Sequence, residues 1–398
     1  MNRYSILLIC DTYPPVVGGS EIEAQRVSAE LIRRGHRVLV LTSGGPPMPP
    51  VANWTDPAGV PVRILTRRAR GRAKDFLFAL RVALALWTQR RDYHIIYFLM
   101  QGLHLAAGLP VARALGKPIV MKFGGSGVIP LMRRSRAGRI ELRWLRRWAR
   151  RLMVLNGGMM QEALDYGFPH AQMLWMPNPV DTAEFRPGTP PEIADLRRRF
   201  AIPPQALAVI YTGRLAQEKG LIPLLRGFAA AARDIPEAVL LLVGDGPVRP
   251  ELERLAASLA LAAGQIRFAG QVPAAEVALW LRASDLFVLT SPSEGFSCAL
   301  LEAMSAGLAS VVTNIPANVQ LVEDPVHGRT VPAGDEAAIA GAVASLLRDP
   351  SARARMGAAA RCRILENYSS AKVAERYEAL FAELSPERAP APVKAAAL

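Results

Sequence analysis

The sequence predicts an α/β fold made of two Rossmann-like, doubly wound domains. Short apolar segments of β-strand character alternate with helical stretches in two separate runs of the 398-residue chain. This alternation is typical of parallel sheets covered by helices. Between the runs, Pro177-Asn178-Pro179 interrupts the pattern, and the chain is long enough for two domains of ordinary size. We therefore expect two domains joined by a linker near residues 176–190, with the functional site in the cleft between them.

The predicted elements follow in order along the chain. In the N-terminal run, strand-like segments at 4–10, 37–42, 62–65, 95–99, 118–123 and 152–155 alternate with helical stretches at 21–34, 73–88, 103–115 and 140–151. The C-terminal run begins with a strand at 207–211 and a helix at 221–232, and it continues to about residue 365. We expect an N-terminal domain at 1–178, a C-terminal domain at 179–366, a helix at 367–385 and a disordered, Pro- and Ala-rich tail at 386–398.

Two glutamates flank a predicted strand-to-helix turn in the C-terminal run. Residues 285–289 are predicted as a buried strand and 296–306 as a helix that ends at Gly307. Glu294 lies in the turn, and Glu302 follows eight positions later, about two helical turns along the chain. The helix N-terminus favours phosphate, and the carboxylates can grip hydroxyl groups of two sugar rings, one of them a ribose. The alternative is that Glu294 caps the helix and Glu302 is solvated.

Two cations follow another predicted strand. Arg214 and Lys219 lie five residues apart, between the strand at 207–211 and the helix at 221–232. A guanidinium fork and a compact ammonium group both suit diphosphate oxygens that gain charge as a leaving group departs. Like the glutamates, they follow a strand, and open α/β sheets bind ligands at the carboxyl ends of their strands. The alternative is a solvated surface pair.

Five short motifs occur in order between the first strand and the final helix. They are Gly18-Gly19-Ser20-Glu21, Pro177-Asn178-Pro179-Val180-Asp181, Gly213-Arg214 with Lys219-Gly220, Val243-Gly244-Asp245-Gly246-Pro247, and Glu294-Gly295-Phe296 with Leu300-Leu301-Glu302. In this combination the chain resembles the retaining glycosyltransferases of family 4, which have the two-domain GT-B architecture. The resemblance implies two Rossmann-like domains facing a central cleft, with a C-terminal helix, here 370–384, crossing back onto the N-terminal domain.

The resemblance also implies an activity and a set of site residues. A hexosyl unit would pass from a nucleotide-diphosphate sugar to a hydroxyl acceptor, a glycan or lipid-linked molecule, with retention of anomeric configuration. The implied catalytic residues are Arg214 and Lys219, which would neutralise the diphosphate, and Glu294, which would hold the transferred sugar. The implied donor-binding residues are Gly18, Gly19, Gly213, Phe296, Ser297, Cys298, Ala299 and Glu302. No Asp-x-Asp motif occurs in the sequence, so we expect neither a metal nor another cofactor.

One position departs from the family pattern. Many members carry a histidine after the strand that is predicted here at 118–123, where it contacts the donor sugar, and this chain has Gly124 in that slot. His104 could compensate only if the fold brings it near; otherwise it is a packing residue. The departure leaves open a catalytically silent relative that binds a nucleotide sugar or a partner enzyme. An NAD-dependent enzyme would need a dinucleotide fingerprint after the first strand, which residues 11–21 do not supply.

Positive charge is concentrated in the N-terminal half of a chain whose formal net charge is +14. Arginine runs occupy 67–74 and 133–151, and Trp144 and Trp148 are interleaved in the second run. Tryptophan beside arginine on a helix is typical of interfacial helices, so we expect docking on an anionic membrane. The alternative is a solvated basic face with inward-packed tryptophan rings. Nothing in the sequence resembles a base-reading module, so nucleic acid is not an expected partner.

Composition fits a protein of the reducing cytoplasm. The three cysteines, Cys10, Cys298 and Cys362, are scattered and form no metal-ligand pattern. No apolar stretch approaches the ~18 residues of a spanning helix. We therefore expect a cytoplasmic protein that is peripheral at the inner face of the membrane.

Overall fold

A computed structural model describes residues 3–16, 18–44, 48–49, 51–66 and 71–385, with the side chain of Arg72 excepted. The chain forms two compact units. Unit 1 comprises Met1–Asn178 and Ser370–Leu398, and unit 2 comprises Pro179–Ser369. The predicted tail at 386–398 and residues 67–70 of the first arginine run lie outside the described residues.

Unit 1 is built on an eight-stranded sheet in the order β3-β4-β2-β1-β5-β6-β7-β8. Neighbouring strands are parallel except β3, which runs antiparallel to β4. β3 and β8 are short edge strands that the sequence pattern does not reveal. The strands are β1 (Ser5–Cys10), β2 (Arg37–Thr42), β3 (Asn53–Thr55), β4 (Pro61–Ile64), β5 (Ile95–Leu99), β6 (Ile119–Lys122), β7 (Arg151–Val154) and β8 (Met173–Trp175).

Helices connect these strands and cover the sheet. α2 packs beside α3 and α3 beside α5, whereas α1 packs against the C-terminal helix α15. The helices of unit 1 are α1 (Gly19–Arg33), α2 (Gly71–Thr88), α3 (Leu103–Ala114), α4 (Val128–Arg133), α5 (Arg136–Trp148), α6 (Gly157–Tyr166) and α15 (Ser370–Leu384).

Unit 2 repeats this architecture on a six-stranded parallel sheet in the order β11-β10-β9-β12-β13-β14. Its strands are β9 (Leu207–Thr212), β10 (Ala238–Val243), β11 (Ile266–Gly270), β12 (Leu286–Leu289), β13 (Ala309–Thr313) and β14 (Gly328–Val331). Its helices are α7 (Pro190–Arg199), α8 (Leu221–Ala232), α9 (Arg249–Ser258), α10 (Ala274–Arg282), α11 (Cys298–Ser305), α12 (Pro316–Val319), α13 (Glu336–Arg348) and α14 (Pro350–Asn367). The prediction of two doubly wound α/β domains is confirmed.

The C-terminal helix belongs to the core of unit 1 although unit 2 precedes it in the chain. Val373, Tyr377 and Phe381 of α15 are almost fully buried in the same apolar cluster as β1, β2 and α1. Apolar residues at spacings of four are expected on the buried face of a helix. The predicted return of this helix to the N-terminal domain is thereby confirmed.

Each sheet has one point where the strand order reverses. In unit 1, β1 lies between β2 and β5; in unit 2, β9 lies between β10 and β12. Ligands of doubly wound proteins bind outside the carboxyl ends of the strands at such a switch point. The loops that follow β1, β9 and β12 carry the glycine, cation and glutamate motifs, so the topology places each motif at a switch point.

Candidate active site

The structure brings Lys219 and Glu294 together at the switch point of unit 2. Lys219 follows β9 and Glu294 follows β12, and Lys219 Nζ donates a hydrogen bond to Glu294 Oε1 at 2.8 Å. The Lys219 side chain is 24% exposed and that of Glu294 is 11% exposed. The pair is therefore shielded yet still reachable, and a ligand at this edge can contact both an ammonium donor and a carboxylate acceptor.

Gly220 fixes the loop that carries Lys219. Its φ is +63°, and a Cβ at this position would lie 2.2 Å from the Thr290 carbonyl oxygen. Thr290 Oγ1 also donates to the Gly220 carbonyl oxygen at 2.9 Å. Because only glycine tolerates this contact and backbone conformation, the loop after β9 is tied to the end of β12. This tie sets the separation of Lys219 and Glu294.

Arg214 takes a different carboxylate partner. Its guanidinium group pairs with Glu218, four residues later, and its side chain is 64% exposed. The Tyr211 hydroxyl donates to the Arg214 carbonyl oxygen at 3.0 Å, and burial raises the pKa of that hydroxyl, so it remains a donor. The backbone of Arg214 is therefore fixed, whereas its side chain extends into solvent. Glu218 is not among the residues predicted from the sequence.

The N-terminus of α11 forms the other side of this edge. Ser297 is the N-cap, and its Oγ accepts the Leu300 backbone N–H at 3.2 Å. Helix geometry provides no intrahelical acceptor for the first-turn N–H groups, which include those of Cys298 and Ala299. The preceding Phe296 is buried, with its ring centroid 5.8 Å from that of Tyr368. The packing of Phe296 thus holds the N-terminus of α11, which favours anions, beside the Lys219–Glu294 pair.

Glu302 lies in the second turn of α11 and is only 7% exposed. This burial contradicts the alternative of a solvated helix residue. A carboxylate is seldom buried to this extent without a structural or binding role. Glu294 and Glu302 thus occupy two shielded positions on one strand–turn–helix segment.

In unit 1, the glycine turn also lies at the carboxyl edge of the sheet. Gly19 begins α1, and Gly18 precedes it with extended backbone. The Glu21 side chain lies so close that a Cβ on Gly18 would be 2.2 Å from its Oε2. A Cβ on Gly124 would lie 3.3 Å from Ser20 Oγ. Gly124 therefore adjoins the glycine turn, although it follows a different strand.

Met100, which follows β5 at the same edge, has a positive φ of 69°. Its side chain borders Gly124, since a Cβ on Gly124 would lie 3.6 Å from Met100 Cγ. Non-glycine residues in this conformation are uncommon and cluster at functional sites. No sequence signal indicated this strained position.

His104 does not take the place of the family's histidine. Its side chain is buried against Phe78 and Phe98, with ring centroids 5.5 and 6.2 Å away. Burial lowers its pKa to about 4, so the imidazole is neutral at physiological pH. His104 is therefore a packing residue of α3.

The second arginine run is exposed along α4, α5 and the residues that flank them. Trp144 and Trp148 stack on each other with centroids 5.2 Å apart, and both are half-buried. Their apolar surface is thus less available to a membrane than that of fully exposed tryptophan side chains. The exposed arginines of the run are Arg133, Arg134, Arg136, Arg139, Arg143, Arg146, Arg147 and Arg150.

Exposed apolar side chains occur on α2, for which the sequence predicted only a helix. Four large residues at spacings of four, four and three share one face of this helix. Their exposed fractions are 69% for Phe76, 56% for Leu80, 60% for Leu84 and 53% for Trp87. Within the part of the chain that the structure describes, no helix is long and apolar enough to cross a membrane. We call these four residues the α2 stripe.

Comparisons with known proteins assign the family. The model for glycosyltransferase family 4 matches residues 17–184, and that for glycosyl transferases group 1 matches residues 192–363. Together they cover both units. The chain belongs to the family 4-type glycosyltransferases of GT-B architecture.

Relatives of this glycosyltransferase extend over most of its length. It is 28% identical to 2-deoxystreptamine N-acetyl-D-glucosaminyltransferase of Streptomyces fradiae, over 91% of this chain and 90% of that protein. It is 27% identical to phosphatidyl-myo-inositol mannosyltransferase of Mycolicibacterium smegmatis, over 87% and 86% of the two chains.

Solved structures share the fold at low sequence identity. Anabaena HepE in complex with UDP and glucose superposes with a TM-score of 0.78 at 19% identity, over 96% of this chain and 100% of that chain. Sucrose-phosphate synthase from Thermosynechococcus elongatus gives a TM-score of 0.80 at 21% identity, over 97% and 100% of the two chains. Both similarities support the GT-B fold of this glycosyltransferase.

Proposed function

We propose that this glycosyltransferase transfers a hexosyl unit from a nucleotide-diphosphate sugar to a hydroxyl group, with retention of configuration and without a metal. The hydrogen-bonded pair of Lys219 and Glu294, beside the N-terminus of α11, carries the proposal. It places a cation, a carboxylate and an anion-favouring helix end at one switch point. The binding of UDP, glucose and UDP-glucose by Anabaena HepE supports this donor class.

Different residues of unit 2 bind different parts of the nucleotide-sugar donor. Glu302, buried on α11, accepts hydrogen bonds from the ribose hydroxyls. The first-turn N–H groups of α11 and the side chains of Arg214 and Lys219 bind the diphosphate. Glu294 accepts hydrogen bonds from hydroxyls of the transferred sugar, and its contact with Lys219 orients both groups.

Transfer then breaks the bond between the anomeric carbon and the diphosphate oxygen. The electron pair of that bond goes to the departing diphosphate, whose added charge Arg214 and Lys219 stabilise. The acceptor oxygen bonds to the anomeric carbon on the same face, and a diphosphate oxygen takes its proton. Two side-chain cations supply the positive charge that a divalent metal would otherwise provide.

We further propose a lipid-linked or cell-surface glycan acceptor and a peripheral position at the cytoplasmic face of an anionic membrane. The α2 stripe presents apolar side chains, and the exposed arginines of α4 and α5 belong to the same unit. Apolar residues that enter the interface and cations that bind lipid phosphate are the two components of peripheral docking. The similarity to a phosphatidyl-myo-inositol mannosyltransferase supports this acceptor class.

A second candidate function is that of a catalytically silent, nucleotide-sugar-binding relative. Gly124 favours it, because this position at the carboxyl edge of unit 1 lacks a side chain that could contact a donor sugar. Thermal-shift measurements with a panel of nucleotide sugars test the binding that both functions require. A donor at about 100 times its Kd should stabilise the protein by about 2.7 kcal/mol. Both functions are excluded if no nucleotide sugar raises the Tm of the wild-type protein by more than it raises the Tm of the Lys219→Ala variant.

A further inference from the structure

An open cavity of about 1300 Å³ lies in unit 1, at the amino ends of β6 and β7. Gly124 and the glycine turn lie at the opposite, carboxyl edge of the same sheet. The cavity is therefore separate from every residue assigned to donor binding and transfer, although Arg146, Arg147 and Arg150 also belong to the arginine run proposed for membrane docking. Six of its lining residues are cations, namely Arg113, Lys117, Arg146, Arg147, Arg150 and Arg151, and Glu383 is the one carboxylate among the lining residues.

Two of the six cations have protein partners. Lys117 Nζ donates to the Tyr93 carbonyl oxygen at 2.8 Å. Arg151 pairs with Glu383 and also donates to the Ala171 carbonyl oxygen at 2.8 Å. The carboxylate in the lining is thus already neutralised. Across the described ranges, the guanidinium groups of the other four have no hydrogen bond or ion pair; these are Arg113, Arg146, Arg147 and Arg150.

Capping of a helix end does not account for these arginines. Cations near the end of a helix commonly bind its last carbonyl groups. At the end of α5, however, Gln172 Nε2 donates to the carbonyl oxygens of Leu145, at 3.0 Å, and Ala149. Arg151 donates to the Arg150 carbonyl oxygen at 3.2 Å. The carbonyl oxygens of Leu145, Ala149 and Arg150 are therefore occupied by other groups, and the four guanidinium groups remain available to a ligand.

Concave surfaces that carry charge of one sign concentrate the field and favour counter-ions. Guanidinium groups bind phosphate through planar, paired hydrogen bonds, and several of them together suit adjacent phosphates. We propose that this cavity binds a ligand with two or more closely spaced phosphate groups. The source of these groups is either a soluble polyphosphorylated compound or a lipid headgroup with paired phosphates.

Inorganic tripolyphosphate is the probe for this site, titrated calorimetrically into the full chain at physiological salt. The variant Arg146→Gln/Arg147→Gln/Arg150→Gln removes three of the four available cations. Because each charge-assisted contact is worth about tenfold in affinity, we expect binding to weaken by at least ~100-fold. These arginines are exposed, and glutamine preserves most of each side chain, so the fold should be retained.

A matched variant removes the same charge from neighbouring positions of the arginine run outside the cavity. Arg134→Gln/Arg136→Gln/Arg143→Gln should change the affinity by less than ~3-fold, since these side chains do not line the cavity. Equal weakening in the two triple variants would mean that only net surface charge matters, and it would overturn the proposal. So would a failure of tripolyphosphate to bind the otherwise wild-type chain.

Tripolyphosphate can also bind the cations of unit 2, so the titration is repeated with Arg214→Ala/Lys219→Ala. Binding to the cavity should persist in this background and should still be lost when the cavity triple is added. Absence of binding in the Arg214→Ala/Lys219→Ala background would overturn the cavity site without affecting the proposed function. Conversely, unchanged total binding in that background would count against the diphosphate site and leave the cavity site intact.

Vesicles distinguish the two phosphate sources. Cardiolipin carries two phosphates on one headgroup, whereas phosphatidylglycerol carries one, and the two can be compared at equal surface charge. A preference for cardiolipin that the cavity triple removes and the control triple retains would support the site with a lipid source. Tripolyphosphate binding without such a preference would support the site with a soluble source.

Discussion

Replacing Lys122 with methionine should destabilise unit 1 by about 3–5 kcal/mol, the usual cost of leaving one charge of a buried pair without its partner. The Lys122 side chain is fully buried and that of Glu23 is 3% exposed, and the two form an ion pair. Lys122 also donates to Asn178 Oδ1 at 3.1 Å. Glu23 Oε1 accepts from the Tyr377 hydroxyl at 3.3 Å, so the network joins β6, α1 and α15.

The double variant Lys122→Met/Glu23→Leu tests whether the charge itself is the cause. Removing both charges eliminates the uncompensated carboxylate, and buried ion pairs are often replaced by apolar residues at little cost. The Tyr97 and Tyr377 hydroxyls keep each other as partners at 3.1 Å. We therefore expect the double variant to recover most of the loss, to within about 2 kcal/mol of the parent protein.

Urea unfolding followed by tryptophan fluorescence measures the effect. Five of the six tryptophans lie in unit 1 and only Trp280 lies in unit 2, so the signal reports mainly on unit 1. Lys372→Met is the control, because the Lys372–Glu375 pair on α15 is about half exposed; its cost should stay below about 1 kcal/mol. If Lys122→Met costs no more than Lys372→Met, the buried pair does not stabilise unit 1 as described.

Three further predictions concern the donor site, pH and the membrane. Glu302→Ala should weaken calorimetric binding of a free nucleoside diphosphate, whereas Glu294→Ala should spare that binding and impair turnover; equal losses of affinity would contradict the assignment. Burial raises the pKa of the Glu141 carboxyl group to about 7. The stability that the neutral carboxyl group contributes is therefore fully present below its pKa in the unfolded chain, near 4.5, and is lost as pH rises through 7. Glu141→Gln should therefore stabilise the protein by about 1–3 kcal/mol at pH 8 and have little effect at pH 4.5, as urea unfolding at both pH values would show. Phe76→Ser/Leu84→Ser should reduce association with anionic vesicles, and unchanged partitioning in sedimentation would exclude the α2 stripe from docking.

The order of elements and the position of the unit 2 motifs could be predicted from the sequence. Strand and helix periodicities are strong in the two runs, and short turns place Lys219 and Glu294 directly after strands. The burial of Glu302 could not be predicted, because it depends on neighbours far away in the chain. Glu218 could have been found, since Arg214 and Glu218 have the i, i+4 spacing of a helical ion pair.

The exposure of apolar residues in unit 1 could not be predicted from the sequence. For Trp144 and Trp148, membrane contact and inward packing were both considered, and the structure shows the two rings stacked on each other and half-buried. The α2 sequence is apolar on several faces, and such a helix is usually predicted to be buried on all sides. Packing against α3 covers only part of it and leaves Leu80 and Leu84 exposed. Periodicity alone cannot show how much of a helix its neighbours cover.

The most direct test of the central claim is the release of nucleoside diphosphate from nucleotide sugars, measured with the purified chain in the presence and absence of hydroxyl acceptors. We expect at least one nucleotide sugar to be cleaved, even if slowly without an acceptor. Arg214→Ala and Lys219→Ala should each lower kcat/KM by a factor that corresponds to about 2–4 kcal/mol of transition-state stabilisation. Near wild-type kcat/KM in either variant would contradict the assigned role of that cation. Binding of a nucleotide sugar without any cleavage would instead identify a catalytically silent relative.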